Sequence, residues 1–246
     1  MFAMEAPPDN DVLKAHALNV TYHGSPALAE VSLGVLDGEI LAVSGPRGSG
    51  KTTLLRCLSG QLVPDKGEVW FRNTGVHTLG QAARERLRRE RFGWVGPRPG
   101  LVPELTAWEN AALPLLLGGT AHRTARAAAL EWLGHLDIAH CARKRPYALS
   151  QAQRQRVAVA RALVASPTVL FADEPTAPLH HADHDHVLRT VLTAARARGI
   201  TVVLATSETR TAALADRSMS LLDGRATGGL PYGAGAEGEA ACSLSV

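Results

Sequence analysis

The chain has 246 residues, of which 20% are charged, and a formal net charge of +3. This length can bury one α/β core with a small subdomain, and so small and dispersed a charge gives no argument for nucleic-acid binding. No apolar run reaches the roughly 18 residues that span a bilayer, the N-terminus does not resemble a signal peptide, and the three cysteines lack disulfide or metal-ligand spacing, which favours a reducing cytosol.

Strands and helices are predicted from the spacing of apolar residues. The predicted strands are 17–22, 40–44, 68–72, 93–95, 168–172, 201–206 and 218–222. The predicted helices are 51–60, 82–89, 107–117, 123–136, 151–165 and 183–198. Strands are concentrated early and late, and helices fill the middle of the chain. This order predicts an α/β fold with a mixed sheet core and an inserted helical subdomain.

The ends of the chain are predicted to be flexible tails, over residues 1–13 and 226–246. The C-terminal segment is rich in glycine and alanine, a composition that does not build a core. One folded domain is then expected over residues 14–225, with its helical subdomain at about 98–165.

A glycine-rich loop, GPRGSGKT over residues 45–52, joins a predicted strand to a predicted helix. In this context the GxxxxGK[ST] pattern is a phosphate-binding loop, whose glycines let consecutive N–H groups and a helix N-terminus face the phosphates. We predict that Lys51 reaches the β- and γ-phosphates of ATP and that Thr52 ligates Mg²⁺. The alternative is a chance glycine-rich turn. The predicted loop contacts are Gly45, Pro46, Arg47, Gly48, Ser49, Gly50, Lys51, Thr52 and Thr53.

A second motif ends the apolar strand 168–172 with Asp173 and Glu174, followed by Pro175. Such a strand can deliver Asp173 to a metal ion, and Glu174 can polarise an attacking water as general base. An ordinary acidic pair at a strand end is the alternative. Beside a phosphate-binding loop, the pair predicts ATP hydrolysis with Lys51 and Glu174 as catalytic residues.

These motifs resemble those of the ATP-binding subunit of an ATP-binding cassette (ABC) transporter, over about residues 14–225. The segment LSQAQRQR at 149–156 stands where that family has LSGGQ followed by a basic helix, and the strand over 167–175 follows at the family's spacing. The resemblance implies a P-loop NTPase (RecA-like) core with an antiparallel β edge. Segments 87–95 and 101–110 are further similar to subunits of macrolide exporters and lipoprotein-release complexes.

The resemblance also implies partners and further contacts with ATP. Tyr22 is similar to the adenine-stacking aromatic of the family, although a core or sheet-edge tyrosine is the alternative. Ser150 and Gln153 would contact the ATP of an opposing cassette, identical or different, in a dimer. A separate membrane permease subunit would hold the dimer at the cytoplasmic face of the plasma membrane. Nucleic-acid factors built on cassettes are a weaker alternative, since they usually carry two cassettes or long coiled-coil insertions.

The chain departs from the family pattern at the positions that close over the nucleotide: Pro97, Gln151, Ala152, His180 and Ser207 replace a glutamine, two glycines, an aspartate and a histidine. Losing one preorganised transition-state donor costs ~10²- to 10³-fold in rate. Slow hydrolysis is therefore expected. The alternative is a degenerate subunit that assists a competent cassette as an ATP-dependent regulatory or structural partner.

The run HHADHDH at 180–186 offers a competing chemistry, because His180 and His184 would share one face of a helix. Adventitious binding of Zn²⁺ or Ni²⁺ is the strongest form of that hypothesis. The family resemblance instead places a loop and the start of a helix here, with Asp183 as its N-cap.

Overall fold

The computed structural model describes residues 11–177, 179 and 181–227, without the side chains of residues 181 and 182. The strands are β1 Asp11–Tyr22, β2 Ser25–Leu36, β3 Ile40–Ser44, β4 Lys66–Phe71, β5 Thr74–Gly75, β6 Phe92–Val95, β7 Val169–Asp173, β8 Thr201–Thr206, β9 Arg217–Leu222 and β10 Arg225–Thr227. The helices are α1 Lys51–Leu58, α2 Gln81–Arg91, α3 Ala107–Leu117, α4 His122–His135, α5 Gln151–Leu163, α6 His181–Ala197 and α7 Thr209–Ala212.

The strands form two sheets. One is antiparallel, in the order β2-β1-β4-β5, and the other has the order β10-β9-β3-β8-β7-β6. Strands β9, β3, β8, β7 and β6 run parallel, and β10 pairs antiparallel with β9. The α/β fold with a mixed sheet, an antiparallel edge and an inserted helical subdomain is therefore confirmed.

The central parallel strands are buried on both faces, because their alternate residues belong to two separate apolar clusters. On β7, Leu170 and Ala172 pack on the side of α3, α4 and α5, together with Trp132. Val169 and Phe171 face the opposite side, with residues of α1 and the antiparallel sheet. Two-sided burial is typical of parallel strands between layers, and it explains why these strands are short unbroken apolar runs.

Strands β1 and β2 of the antiparallel sheet differ most from the sequence prediction, and its two-residue strand β5 was not predicted either. Strand β2 was not predicted, because serine, proline and glycine interrupt its apolar residues. Strand β1 begins at Asp11, six residues before its predicted start, and Leu13 pairs with Phe71. Ala17, at a shift in its register, has a φ of 46°, and this irregularity hides the strand's alternation.

The predicted boundaries of the tails are corrected by these strands. Residues 11–13 belong to β1, and residues 226 and 227 belong to β10. The rest of both predicted tails lies outside the described residues. Among the described helices, none combines the length and apolar character that crossing a bilayer requires.

Candidate nucleotide site

The phosphate-binding loop leaves β3 and enters α1 with its backbone closely surrounded. A side chain on Gly45 would collide with the carbonyl oxygen of Leu221, and one on Gly50 with that of Ala27. Gly50, with a φ of 101°, is also in a conformation that side chains disfavour. The loop therefore requires glycine at both positions, which is why the motif is readable in the sequence.

The Lys51 side chain folds back over the loop and is only 6% exposed. Its Nζ donates hydrogen bonds to the carbonyl oxygens of Gly45 (2.7 Å) and Pro46 (2.9 Å). The same atom lies 3.7 Å from Oε1 of Glu174. The two predicted catalytic residues thus meet, although they lie 123 positions apart in the sequence.

The loop holds one polar atom that supports an anion site. The hydroxyl oxygen of Ser49 is buried and has no hydrogen-bond partner among the described residues. A buried hydroxyl without a partner is costly, and a phosphate oxygen is an acceptor of the kind that this loop type holds. The loop therefore fits the phosphates of ATP.

The predicted metal ligands also come together. The Thr52 hydroxyl donates to Oδ1 of Asp173 at 3.1 Å. Burial raises the pKa of the Asp173 carboxyl, while the hydrogen bond from Thr52 and the charges of Arg56 and Lys51 act in the opposite direction. A hydroxyl and a carboxylate are hard oxygen ligands of the kind that Mg²⁺ prefers, so the pair fits this ion.

Glu174 leaves the sheet in an unusual backbone conformation. Its φ is 46°, in the left-handed region, and such a conformation costs about 1 to 3 kcal/mol. Its N–H donates to the carbonyl oxygen of Ala205 at 2.9 Å, which anchors the turn to β8. The side chain is half-buried beside Lys51, at the carboxyl end of β7.

The signature residues Ser150 and Gln153 build the N-terminus of α5. The hydroxyl of Ser150 accepts from the N–H of Gln153 (3.2 Å), and the side chain of Gln153 accepts from the N–H of Ser150 (3.0 Å). This reciprocal capping box fixes the helix start. Gln151 and Ala152 are accommodated in the first turn of the helix. The helix N-terminus that is predicted to face the ATP of an opposing cassette is therefore well formed within one chain.

Tyr22 lies at the exposed end of β1, in the hairpin with β2, where it pairs with Ser25. This hairpin contacts the phosphate-binding loop, since Ala27 and Leu28 of β2 surround Gly50. The position of Tyr22 is compatible with the predicted stacking on adenine, which stays a prediction.

Gln155 is a residue of the site that the sequence prediction missed. It is fully buried in α5, and its Nε2 donates to the carbonyl oxygens of Gly96 (2.9 Å) and Pro175 (2.7 Å). It thereby joins the loop after β6, which contains Pro97, to the turn after Glu174. A polar residue at an apolar position of an amphipathic helix was the signal that could have identified it.

The remaining departures lie around the same edge of the sheet. Ser207 follows β8 and is exposed, whereas His180 lies outside the described residues. Helix α6 begins at His181, so Asp183 is in its first turn and is not the predicted N-cap. The Asp183 carboxylate instead accepts a hydrogen bond from Arg156 at 2.7 Å. Among the described residues, no group of three or more histidine, cysteine, aspartate and glutamate side chains could hold a metal ion.

Comparisons with known proteins agree with this geometry. The family model described as "ABC transporter" matches residues 28–177. The lipoprotein-releasing system ATP-binding protein LolD of Geobacter metallireducens (strain ATCC 53774 / DSM 7210 / GS-15) is 40% identical over 198 residues, covering 80% of this chain and 88% of LolD.

Solved structures give the same result. The dimeric structure of the cassette MJ0796 in a post-hydrolysis state with ADP and Pi has a TM-score of 0.82 and 32% identity, and covers 87% of this chain and 97% of that one. The structure of cbiO1 from Clostridium perfringens, which is part of the ABC transporter complex cbiONQ, has a TM-score of 0.80 and 27% identity. The match covers 89% of this chain and 88% of that one. The chain belongs to the ABC transporter family, as an ATP-binding cassette subunit that resembles the lipoprotein-release branch.

Proposed function

We propose that this subunit binds MgATP at the interface of a cassette dimer and powers or gates a separate membrane permease, with slow hydrolysis. The observation that carries the proposal is the meeting of Lys51, Thr52, Asp173 and Glu174 at one edge of the parallel sheet. The lysine and threonine would hold the phosphates and Mg²⁺, and the two carboxylates would hold the ion and the attacking water.

Dimerisation is supported by the distribution of the predicted ATP contacts over two different helix N-termini. The phosphate-binding loop leads into α1, whereas Ser150 and Gln153 form the capped start of α5, which the family resemblance assigns to the ATP of an opposing cassette. A second cassette, identical or different, would bring its own α5 N-terminus to the ATP held by this chain. MJ0796 is described as dimeric in its solved structures.

The slow-hydrolysis part of the proposal depends on Ser207 and Pro97. Neither side chain can replace the family histidine and glutamine as a donor to the transition state, and each lost donor is worth ~10²- to 10³-fold. The same observation supports the second candidate function, a degenerate subunit that binds ATP and stabilises a competent partner cassette. Turnover in the assembled complex distinguishes the two.

The permease is proposed to dock in a groove of about 510 Å³ between α2, β6, α3 and α5. Its apolar lining includes Trp94, Leu113 and the 69% exposed Leu117. Three basic residues, Arg88, Arg89 and Arg161, also line it, beside the single acidic residue Glu85. This charge favours a cytoplasmic permease segment with apolar and acidic side chains. Through this partner the chain would lie at the cytoplasmic face of the plasma membrane, and no nucleic acid is involved.

The proposal is tested by ATP-dependent dimerisation of Glu174→Gln, measured by analytical ultracentrifugation with MgATP, MgADP and ATP with EDTA. We expect dimers with MgATP and monomers with MgADP or with ATP and EDTA. Ser150→Arg added to Glu174→Gln should abolish the dimers. For the groove, Leu117→Asp should abolish copurification with the cognate permease, whereas Leu36→Asp, at a leucine that is 51% exposed on β2, should not. A chain that binds MgATP but remains monomeric alone and beside other cassettes contradicts the proposal.

A further inference from the structure

His184 is a buried polar residue outside the nucleotide-binding motifs. It lies in the first turns of α6 and is 8% exposed. Its Nε2 lies 2.9 Å from Oε2 of Glu208, and its Nδ1 lies 3.4 Å from Oδ1 of Asp185. An imidazole removed from water requires polar partners, and the nearer partner here belongs to a different element of the fold.

Glu208 is the residue immediately after Ser207, the position of the family's histidine. Its N–H donates to the hydroxyl of Thr206 (3.1 Å), the last residue of β8. Its carboxylate also accepts from the hydroxyl of Thr211 in α7 (3.2 Å). One carboxylate therefore joins α6 and α7 to the turn that leaves β8, and Ser207 lies inside that turn.

This turn lies next to the turn that carries Glu174. Asp173 and Ala205 are paired in the parallel register of β7 and β8, and the N–H of Glu174 donates to the carbonyl oxygen of Ala205. Residues 206–208 and Glu174 therefore leave adjacent strands at the same edge. A serine is shorter than a histidine, so any contact that Ser207 makes with nucleotide or water requires the turn itself to be held in place.

We infer that His184 is a positioning residue for the ATP site, which holds the 206–208 turn against α6 through Glu208. The contact between His184 and Glu208 joins α6, which follows Glu174 in the chain, to the 206–208 turn, which lies beside Glu174 in space. The contact holds this turn in place, in which the side chain of Ser207 is small and exposed. The inference rests on the proposed function, because it takes Ser207 to face bound ATP.

The chain contains a matched control on the same helix. His186 lies two residues further along α6, and its Nε2 is 2.8 Å from Oδ2 of Asp137. This second histidine–carboxylate contact has nearly the same length. It joins α6 to Asp137, which follows the end of α4, and does not involve the 206–208 turn. A general effect of losing a histidine from α6 would therefore appear in both variants.

The test is hydrogen–deuterium exchange of the peptides covering 206–212 in the purified full chain, with and without MgATP, for wild type, His184→Ala, His184→Gln and His186→Ala. Losing a charge-assisted contact should speed exchange there about tenfold without nucleotide, and it should remove the extra protection that MgATP gives the turn. His184→Gln, which keeps a donor, should restore most of the protection, and His186→Ala should match wild type. The dissociation constant for MgATP should change less than about twofold in all variants, because no contact to the phosphate-binding loop is altered.

Exchange at 206–212 within about twofold of wild type in His184→Ala, or equal acceleration in His186→Ala, overturns the inference. If His184→Ala does not fold, Glu208→Gln, which weakens the link from its other end, must give the same accelerated exchange. A wild-type chain that fails to bind MgATP overturns the proposed function, whereas the comparison without nucleotide still decides whether His184 holds the turn.

Discussion

The Thr52 hydroxyl and the Asp173 carboxylate, which belong to two motifs 121 residues apart, are joined by a hydrogen bond of 3.1 Å. The bond exists because β3 and β7 both end at the same edge of the parallel sheet, on either side of β8. Open parallel sheets bind ligands beyond the carboxyl ends of their strands. The position of the predicted ATP site is thus a consequence of strand order, and each residue of the cluster can be tested separately.

Asp173→Asn should separate stability from metal binding. Burial raises the pKa of the Asp173 carboxyl in the folded chain, so ionisation disfavours folding as the pH rises through that pKa, and protonation at lower pH relieves the cost. The variant should therefore melt at a higher temperature than wild type at neutral pH without Mg²⁺, by about 2–4 °C for each 1 kcal/mol.

Its advantage should shrink as the pH is lowered, and Mg²⁺-dependent ATP binding should be lost. Differential scanning calorimetry over a pH series measures the difference in melting temperature, with the exposed Asp37→Asn as control. A lower melting temperature at neutral pH, or a difference that does not vary with pH, contradicts the expectation.

Lys51→Ala should weaken ATP binding more than it alters the fold. The ammonium group of Lys51 is held by two carbonyl oxygens of the loop and lies near Glu174, a position from which it can reach a phosphate. A hydrogen bond to a charged group contributes about 1.5–3 kcal/mol, so the dissociation constant should rise by about 10- to 100-fold. Titration calorimetry measures it, with Lys66→Ala on β4 as the charge-matched control. Equal affinities for the two variants would show that the lysine does not contact ATP.

Gln155→Leu should destabilise the chain although it replaces a buried polar side chain by an apolar one of similar size. The carbonyl oxygens of Gly96 and Pro175 would lose their donor, at about 1–3 kcal/mol for the buried groups. Melting should fall by several degrees, and turnover should fall beyond what the folded fraction explains. The exposed Gln81→Leu, at the start of α2, serves as control. An unchanged melting temperature would mean that both carbonyl groups find other partners.

Ser207→His should increase the rate of hydrolysis. The change returns an imidazole to the end of β8, beside the turn that carries Glu174, and one such group is worth up to about 10²- to 10³-fold. Because Pro97 and His180 are left unchanged, we expect a gain of about tenfold or more in kcat, with little change in the affinity for ATP. The gain should vanish in the double variant with Glu174→Gln. A slower or unchanged enzyme would show that position 207 does not limit turnover.

The sequence predicted most of the fold because the parallel strands, buried on both faces, are unbroken apolar runs. Strands β3 and β8 and helix α3 were predicted with their observed bounds. Strand β2 was missed, since its small and polar residues interrupt the alternation, and Glu30 within it has a φ of 56°. The start of α6 was also misplaced, because Asp183 is a residue type that often caps helices but here binds Arg156.

The candidate site was predictable where chemistry demands a fixed local pattern. Glycines at 45 and 50 are required by close backbone contacts, and the strand that ends in Asp173 is equally recognisable. Gln155 and His184 were not predicted as residues of the nucleotide site, because Gly96 and Pro175 lie far from Gln155 in the sequence, as Glu208 does from His184, and only the folded chain brings them together. Long-range contacts of single side chains leave no periodic signal.

The most direct measurement is Mg²⁺-dependent ATP turnover of the purified chain beside Glu174→Gln, with nucleotide binding measured in both. A typical enzyme rate of ~10 s⁻¹ reduced by the loss of a single donor sets an upper limit on the order of 0.01–0.1 s⁻¹ per site, and Pro97 removes a second donor. We expect measurable turnover below that limit, abolished in Glu174→Gln while ATP binding persists. ATP binding without any turnover sensitive to this substitution would contradict the slow motor and favour the regulatory partner. Failure of the wild-type chain to bind MgATP would contradict the account as a whole.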